Sequence, residues 1–299
     1  MGVNALIGVG LPVYNGEEFL ATAIDSVLAQ TFPDFEVLIS DNASTDRTEE
    51  ICREYVARDS RVKYFRAPEN RGIVWNYNEV FRLSSQKYFM WFSHDDVIAP
   101  TYLERCVKPC EEDPKVVLCF SNWGEIDSAG HLRFTQKSRV VMDSPDRVER
   151  FRAAIRLDHL CEPWCGVTRS DIVRKTPLYG SFADYDRVMI AELGLYGRFV
   201  EIPEPLFFRR EHEGRSIYMH PTRFERTGWL DRKLKGSIVF PHFREYREFW
   251  AAVGRVNLPW RERMGCDWAL LKWAARYWPR MATDLRVAAH ETLRPLFSR

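Results

Sequence analysis

No window of about twenty apolar residues occurs in the 299-residue chain, which excludes a bilayer-spanning helix. There is no phosphate loop of the form GxxxxGKS or GxxxxGKT, and Gly8-Val9-Gly10 runs into Leu11-Pro12-Val13 without the third glycine of a dinucleotide fingerprint. A phosphate-loop NTPase and a hydride-transfer enzyme are both set aside on these grounds. The seven cysteines are odd in number and include no CxxC pair, which argues against a secreted disulfide framework and for a reducing compartment. His159, Cys161 and Cys165 lack a fourth zinc ligand at sensible spacing, so the cysteines read as small buried hydrophobes. Met1-Gly2-Val3-Asn4 leads straight into a strand, without the basic stretch and apolar run of a signal peptide, and a cytoplasmic protein is expected. Internal repeats and low-complexity tracts are missing as well.

What is present suits a soluble enzyme: 45% hydrophobic and 28% charged residues, enough for one large domain with an appendage. The net charge of +1 hides an asymmetry. From Glu201 onward there are 19 Lys and Arg against 12 Asp and Glu, whereas the part before it has 24 against 30. Six of the ten tryptophans (Trp229, Trp250, Trp260, Trp268, Trp273 and Trp278) also lie in this basic tail. Such a mixture suits an anionic surface or a covered core, and no nucleic-acid motif accompanies it.

Apolar runs predict strands at Leu6–Leu11, Phe35–Ser40, Val62–Arg66, Tyr88–Phe92 and Val116–Phe120. Helical periodicity falls between them, at Glu18–Gln30, Thr45–Arg58, Val74–Leu83 and Thr101–Glu112. This alternation predicts a mostly parallel sheet flanked by helices. Asp127-Ser128-Ala129-Gly130 supplies turn chemistry for a hairpin over Glu125–Phe134, and Val140–Pro163 reads as helical and irregular. Ser44, Thr45 or Asp46 is expected to cap the second helix.

Two of these strands run directly into polar clusters, Tyr14-Asn15-Gly16-Glu17-Glu18 and Asp41-Asn42-Ala43-Ser44-Thr45-Asp46. Ligands of open α/β sheets bind outside the carboxyl ends of strands, so both clusters are placed where a substrate would lie. The segments PVYNGEE, SVLAQTFPDFEVLISDNASTDRT, ENRGI and FSHDD, in that order, resemble the family 2 nucleotide-sugar glycosyltransferases of the GT-A fold. The likeness runs over roughly the first 210 residues, at spacings an alternating α/β domain would give. It implies a GT-A domain over 1–215, divided into a nucleotide-sugar-binding half (1–121) and an acceptor half (122–215), followed by a helical extension (216–299).

The resemblance also implies an inverting sugar transfer that uses Mn2+ or Mg2+. A UDP-sugar is the expected donor, with GDP or dTDP as alternatives, and the acceptor is a saccharide or a lipid-linked saccharide. In the Ser93-His94-Asp95-Asp96 turn, Asp96 takes the place of the metal ligand and Asp95 that of a partner to donor hydroxyls, while Ser93 stands where many relatives have a further Asp. Asp41 is matched to the base or ribose contact, with Pro12, Tyr14 and Glu17 lining the same pocket. Asn42 and Ser44 read equally well as local turn hydrogen bonds. Arg71-Gly72 suits a phosphate or sugar hydroxyl as well as it suits a plain turn, and Asn78 follows on a helix toward the same cavity. Asp186, counted back from Gly197, takes the place of the general base, with Asp184 as the alternative and a helix cap as the structural role open to either. Arg210 and His212 lie in a segment that relatives place near the diphosphate or metal. A fold relative that binds carbohydrate or regulates a partner without catalysis is the competing function class.

In the tail, Met264, Trp268, Leu271, Ala275 and Trp278 recur at steps of four and three over a helix at Arg261–Trp278. The catalytic domain, a second subunit or the headgroup region of an anionic membrane could bury this stripe. Burial within the chain needs no partner and is the expectation.

Overall fold

The computed structural model describes residues 5–159, 161–231, 234 and 237–297. Strand β1 (Ile7–Val13) is buried at every position, because it lies between β2 (Phe35–Asp41) and β4 (Tyr88–Trp91) with both faces covered. A strand covered on both faces reads as a continuous apolar run rather than an alternation. Gly10 is required here by close approach: a Cβ on it would stand 2.2 Å from the ring of Phe89 on the neighbouring strand.

Helices α1 (Leu20–Leu28), α2 (Thr48–Arg58) and α3 (Ile73–Arg82) alternate with these strands and with β3 (Val62–Arg66). After β4 come the short β5 (Val97–Ile98), α4 (Tyr102–Glu112), β6 (Val116–Ile126) and β7 (Leu132–Gln136), the last two forming the expected hairpin across Asp127–Gly130. The chain then adds α5 (Arg147–Ala154), β8 (Val167–Arg169), α6 (Ser170–Val173), α7 (Tyr185–Tyr196) and β9 (Arg198–Arg210). Then follow α8 (Ser216–Met219), α9 (Arg223–Leu230), α10 (Pro241–Arg255) and α11 (Trp260–Phe297). The sheet order is β3-β2-β1-β4-β8-β6-β9-β5, with β7 beside β6. Pairings among β1 to β4 and between β6 and β9 are parallel, while β8 joins the two halves antiparallel to β4 and β6. This mixed sheet flanked by helices is the expected α/β class.

The period-two geometry of strands sorts side chains between two cores. On one face Val9, Leu11, Val37, Tyr88 and Met90 pack with Leu20, Ile24 and Val27 of α1 and Leu103 of α4. On the other, Leu38, Phe89 and Trp91 pack with Phe81 of α3, Phe151 of α5 and the apolar residues of α7. Helices α10 and α11 join this second core through Phe249, Ala252, Val253, Cys266, Ala269, Leu270 and Trp273.

The tail therefore departs from the expectation. The predicted stripe faces solvent, with Met264, Trp268, Leu271 and Trp278 each more than half exposed, and the face that packs is the opposite one. Cys266 and Ala269 are buried on this face, and Trp273 ties it to the end of α5 by donating its indole N–H to the Ile155 carbonyl at 2.7 Å. Its ring stacks on Tyr246 at 5.5 Å. The helix also runs well past Trp278. Among the described residues no helix is long and apolar enough to cross a membrane.

Candidate functional site

A cavity of about 1260 Å3 opens at the carboxyl ends of β1, β2 and β4. Pro12 and Tyr14 reach it from β1, Asn42 from β2, Gly72 from the start of α3, Asp95 and Asp96 from the turn after β4, and Asp186 and His212 from the second half. Eight of the residues singled out in the sequence thus share one space. Glu17, Asp41, Arg71, Asn78, Asp184 and Arg210 do not line it.

Most of these six have work next to the cavity. Asp41 is fully buried, and its carboxylate accepts hydrogen bonds from the Ser44 amide at 2.8 Å, the Tyr64 hydroxyl at 2.7 Å and Arg66 Nη1 at 2.5 Å. With both oxygens engaged it shapes the 41–44 turn and stands behind the cavity wall. Glu17 accepts from the Arg47 amide and donates its own amide to Asp46, whose other oxygen accepts from Thr48 N. Asp46 thus serves the start of α2, which begins three residues later than read from the sequence. Asn42 holds the loop before α3 by bonding Asn70 Oδ1 and the Arg71 amide, and this sets Gly72 at φ 87°, a conformation that favours glycine. The Arg71 guanidinium lies over the Trp75 ring. Asn78 ties α3 to the segment before α7 through paired bonds with the Tyr179 backbone.

The acidic turn is stitched to β9. Asp96 Oδ1 accepts the Arg210 amide at 2.9 Å, and Arg210 Nε donates to the Asp95 carbonyl at 2.9 Å. Burial, together with the charge of Asp95, raises the Asp96 carboxyl well above the ordinary value. Burial also opposes ionisation of Asp95, but the hydrogen bond from His212 at 3.0 Å and the charges of His94 and His212 bring its pKa below the usual range. His212 packs against Phe19 with ring centroids 4.8 Å apart and the ring planes tilted by 55°. Because strand neighbours point to opposite faces, Arg210 turns into the protein and Arg209 turns to the cavity. Arg209 lies over Trp123 at 4.4 Å and bonds Glu125, and Arg215, bonded to Glu211, joins it with Arg133.

On the far side, Asp186 occupies the first turn of α7, and burial followed by the charge of Asp184 raises its pKa. Asp184 stands at the cap position with φ 61° and makes no capping bond, since its carboxylate pairs with Arg223 at 2.5 Å. Trp164 and Tyr77 form an aromatic wall beside Asp186, with Tyr179 packed edge-on against Trp164 at 4.4 Å. Sequence reasoning missed Arg133, Arg209, Arg215 and Trp164. Only Arg209, next to the motif residue Arg210, carried a readable signal.

Residues 9–176, more than half of the chain, match the family described as Glycosyl transferase family 2. The chain belongs to this family. An uncharacterised glycosyltransferase of Rickettsia typhi is 33% identical over 135 residues, covering 45% of this chain and 41% of that protein. Escherichia coli chondroitin synthase is 31% identical over 127 residues, 42% of this family 2 chain and 18% of the synthase. The chain thus spans less than half the length of these curated relatives. Among solved structures, Staphylococcus aureus TarS 1–349 in complex with UDP superposes with a TM-score of 0.64 at 15% identity, over 91% of this chain and 72% of that one. A Pyrobaculum calidifontis mannosyltransferase in complex with GDP-Man and Mn2+ gives 0.53 at 16% identity, over 97% and 88%. At such identities the likeness is one of fold, the GT-A arrangement.

Proposed function

We propose that the protein moves a sugar from a nucleoside diphosphate donor to an acceptor hydroxyl by a single displacement that inverts the anomeric carbon, in the cytoplasm. The observation that carries this reading is the shared cavity: the acidic turn Asp95-Asp96 and the cations Arg209 and Arg215 lie on one side and Asp186 on the other. The TarS structures with UDP and UDP-GlcNAc and the mannosyltransferase with GDP-Man support a nucleotide-sugar donor, UDP first, with GDP or dTDP as alternatives.

Among the described residues no three His, Cys, Asp or Glu side chains are grouped to hold a metal ion. The site nonetheless fits a hard divalent cation that keeps waters and shares one or two carboxylates with phosphate oxygens. Asp96 Oδ1 is taken by a backbone amide, which leaves Oδ2 to the cavity, and Glu211 Oε1 is buried there without a hydrogen-bond partner. Asp96, with Asp95 beside it, would hold Mn2+ or Mg2+. His212 Nε2 is already given to Asp95, so its part is to orient that carboxylate. When bound, the ion would neutralise charge on the departing diphosphate.

The chain's own residues supply the rest. Arg209 and Arg215 offer donors to the diphosphate oxygens, and Pro12, Tyr14, Asn42 and Gly72 shape the nucleotide end. Trp164 and Tyr77 give an acceptor saccharide, free or lipid-linked, an apolar face to lie on. Asp186, ionised, takes the proton from the acceptor hydroxyl as that oxygen attacks. Asp184 is less suited to this role because Arg223 occupies it.

Thermal-shift titration of UDP, GDP, dTDP and CMP with Mn2+ tests the donor end, since a ligand that binds only the folded state raises the melting temperature. One nucleoside diphosphate should stabilise the protein, and Asp96→Ala should abolish the metal-dependent part of that shift. An unchanged shift in the variant would remove Asp96 from the site. Nucleotide binding without any hydrolysis or transfer would favour a non-catalytic carbohydrate-binding or regulatory relative.

A further inference from the structure

Trp260, Met264, Trp268, Leu271, Trp278 and Leu285 stand in one row along α11, each between 51% and 66% exposed. At 100° per residue these six positions fall within an arc of about 100°, over a length of about 38 Å. The helix buries a different set, Cys266, Ala269, Leu270 and Trp273, on the opposite side. A helix that only covers a core needs one apolar face, and this one has two.

The charges around the row have one sign. Between Trp260 and His290 the exposed charged side chains are Arg261, Arg263, Lys272, Arg276, Arg280 and Arg286. The carboxylates of that segment are withdrawn: Glu262 pairs with Arg147, Asp267 is half-buried, and Asp284 is buried against His242. Within this segment, among the described residues, no carboxylate is exposed to the degree that the cations are. Arg261 lies over the Trp260 ring at 5.3 Å and Lys272 over Trp268 at 5.4 Å, so the cations flank the aromatic rings that would insert.

We propose that this face of α11 docks on an anionic lipid bilayer, lying in the plane of the membrane at headgroup depth. Tryptophan and leucine set in a row of Lys and Arg are the components of an interfacial helix, and a negative surface complements the cations. A second copy packed face to face would bring these rows of cations together, which disfavours self-association. The inference does not depend on the transfer reaction: it concerns where the protein sits, whichever sugar it moves.

The test is sedimentation of the full chain with vesicles of phosphatidylcholine, with and without phosphatidylglycerol. The protein should pellet only with the anionic vesicles, and less at high salt. A basic residue near such a surface contributes about fivefold in affinity, so Lys272→Ala with Arg276→Ala should weaken binding about 25-fold. Trp268→Ser with Trp278→Ser should abolish it while leaving the melting temperature in place, since both side chains are exposed. Should that variant fail to fold, quenching of the unmodified protein's tryptophan emission by brominated lipid supplies the same answer, with quenching expected. Full-length protein that stays in the supernatant at low salt overturns the proposal, as does equal binding to neutral vesicles. A dimer detected by light scattering and dispersed by the tryptophan substitutions, without vesicle binding, would assign the face to a second copy and overturn it too.

Discussion

Asp186 holds its proton more tightly than a solvated aspartate because it is half-buried at the cavity wall and Asp184 lies close by. A general base must be ionised to act, so activity should fall as pH drops through this raised value, and the acid limb of kcat/KM should lie above the ordinary aspartate value of 3.8. Asp186→Asn should lose a factor on the order of a hundred to ten thousand in kcat while retaining donor binding. Asp184→Asn should lose much less, and its acid limb should move down in pH, since a negative neighbour is gone. Steady-state rates across pH for both variants check this, and a dead Asp184→Asn variant would shift the base by two residues. His159 offers a test of stability. Burial, and next the charge of Arg187, push it from 6.5 down to about 4, so the unfolded chain takes up the proton first. The stability it contributes is fully present above pH 6.5 and is lost as pH falls through 4, on the order of 3 kcal/mol. Urea unfolding at the two ends of that window should show the loss, and His159→Asn should flatten it.

Three helices meet over the loop that carries Asp184 through charges. Glu245 of α10 is fully buried and pairs with Arg223 of α9 at 2.7 Å and with Arg187 of α7 at 3.6 Å, while Arg223 also pairs with Asp184. Asp184 Oδ2, Arg187 Nε and Glu245 Oε1 lack aligned hydrogen bonds, so the cluster depends on charge balance. Removing one member of a buried pair typically costs about 3–5 kcal/mol, because a charge is left buried without its partner. Glu245→Ala should destabilise by about that amount in denaturant titration. It should also lower kcat at temperatures where the variant remains folded, as Asp184 and its neighbour Asp186 lose their support. Loss of stability with kcat unchanged would leave the cluster a purely structural role.

At the scale of the molecule, α10 and α11 are part of the core and not a detachable tail. Truncation after Pro259 would strip Cys266, Ala269, Leu270 and Trp273 from Phe249, Val253 and Phe151. Burying a large apolar side chain is worth about 1.5–3 kcal/mol, and a native domain has only about 5–15 kcal/mol in all. The truncated chain should therefore be insoluble or lack a cooperative melting transition, while the full chain melts cooperatively. A truncated protein that folds and binds nucleotide would show that α11 is dispensable to the catalytic domain.

The alternation of strand and helix, the hairpin at Asp127–Gly130 and the two polar clusters were legible in the amino-acid sequence, because each depends on short-range periodicity and turn chemistry. So was the place of Asp95, Asp96 and Asp186 on one cavity, because their neighbours in sequence carry a recognisable pattern. Tertiary structure decided the rest. Whether Arg209 or Arg210 faces the cavity turns on strand register, where a shift of one residue reverses every side chain. Whether Asp41 lines the cavity or meets fold partners turned on Tyr64 and Arg66, which a parallel neighbouring strand brings beside it. The choice between the two apolar faces of α11 turned on close packing against α10, since periodicity registers an apolar stripe whether it meets a core or solvent.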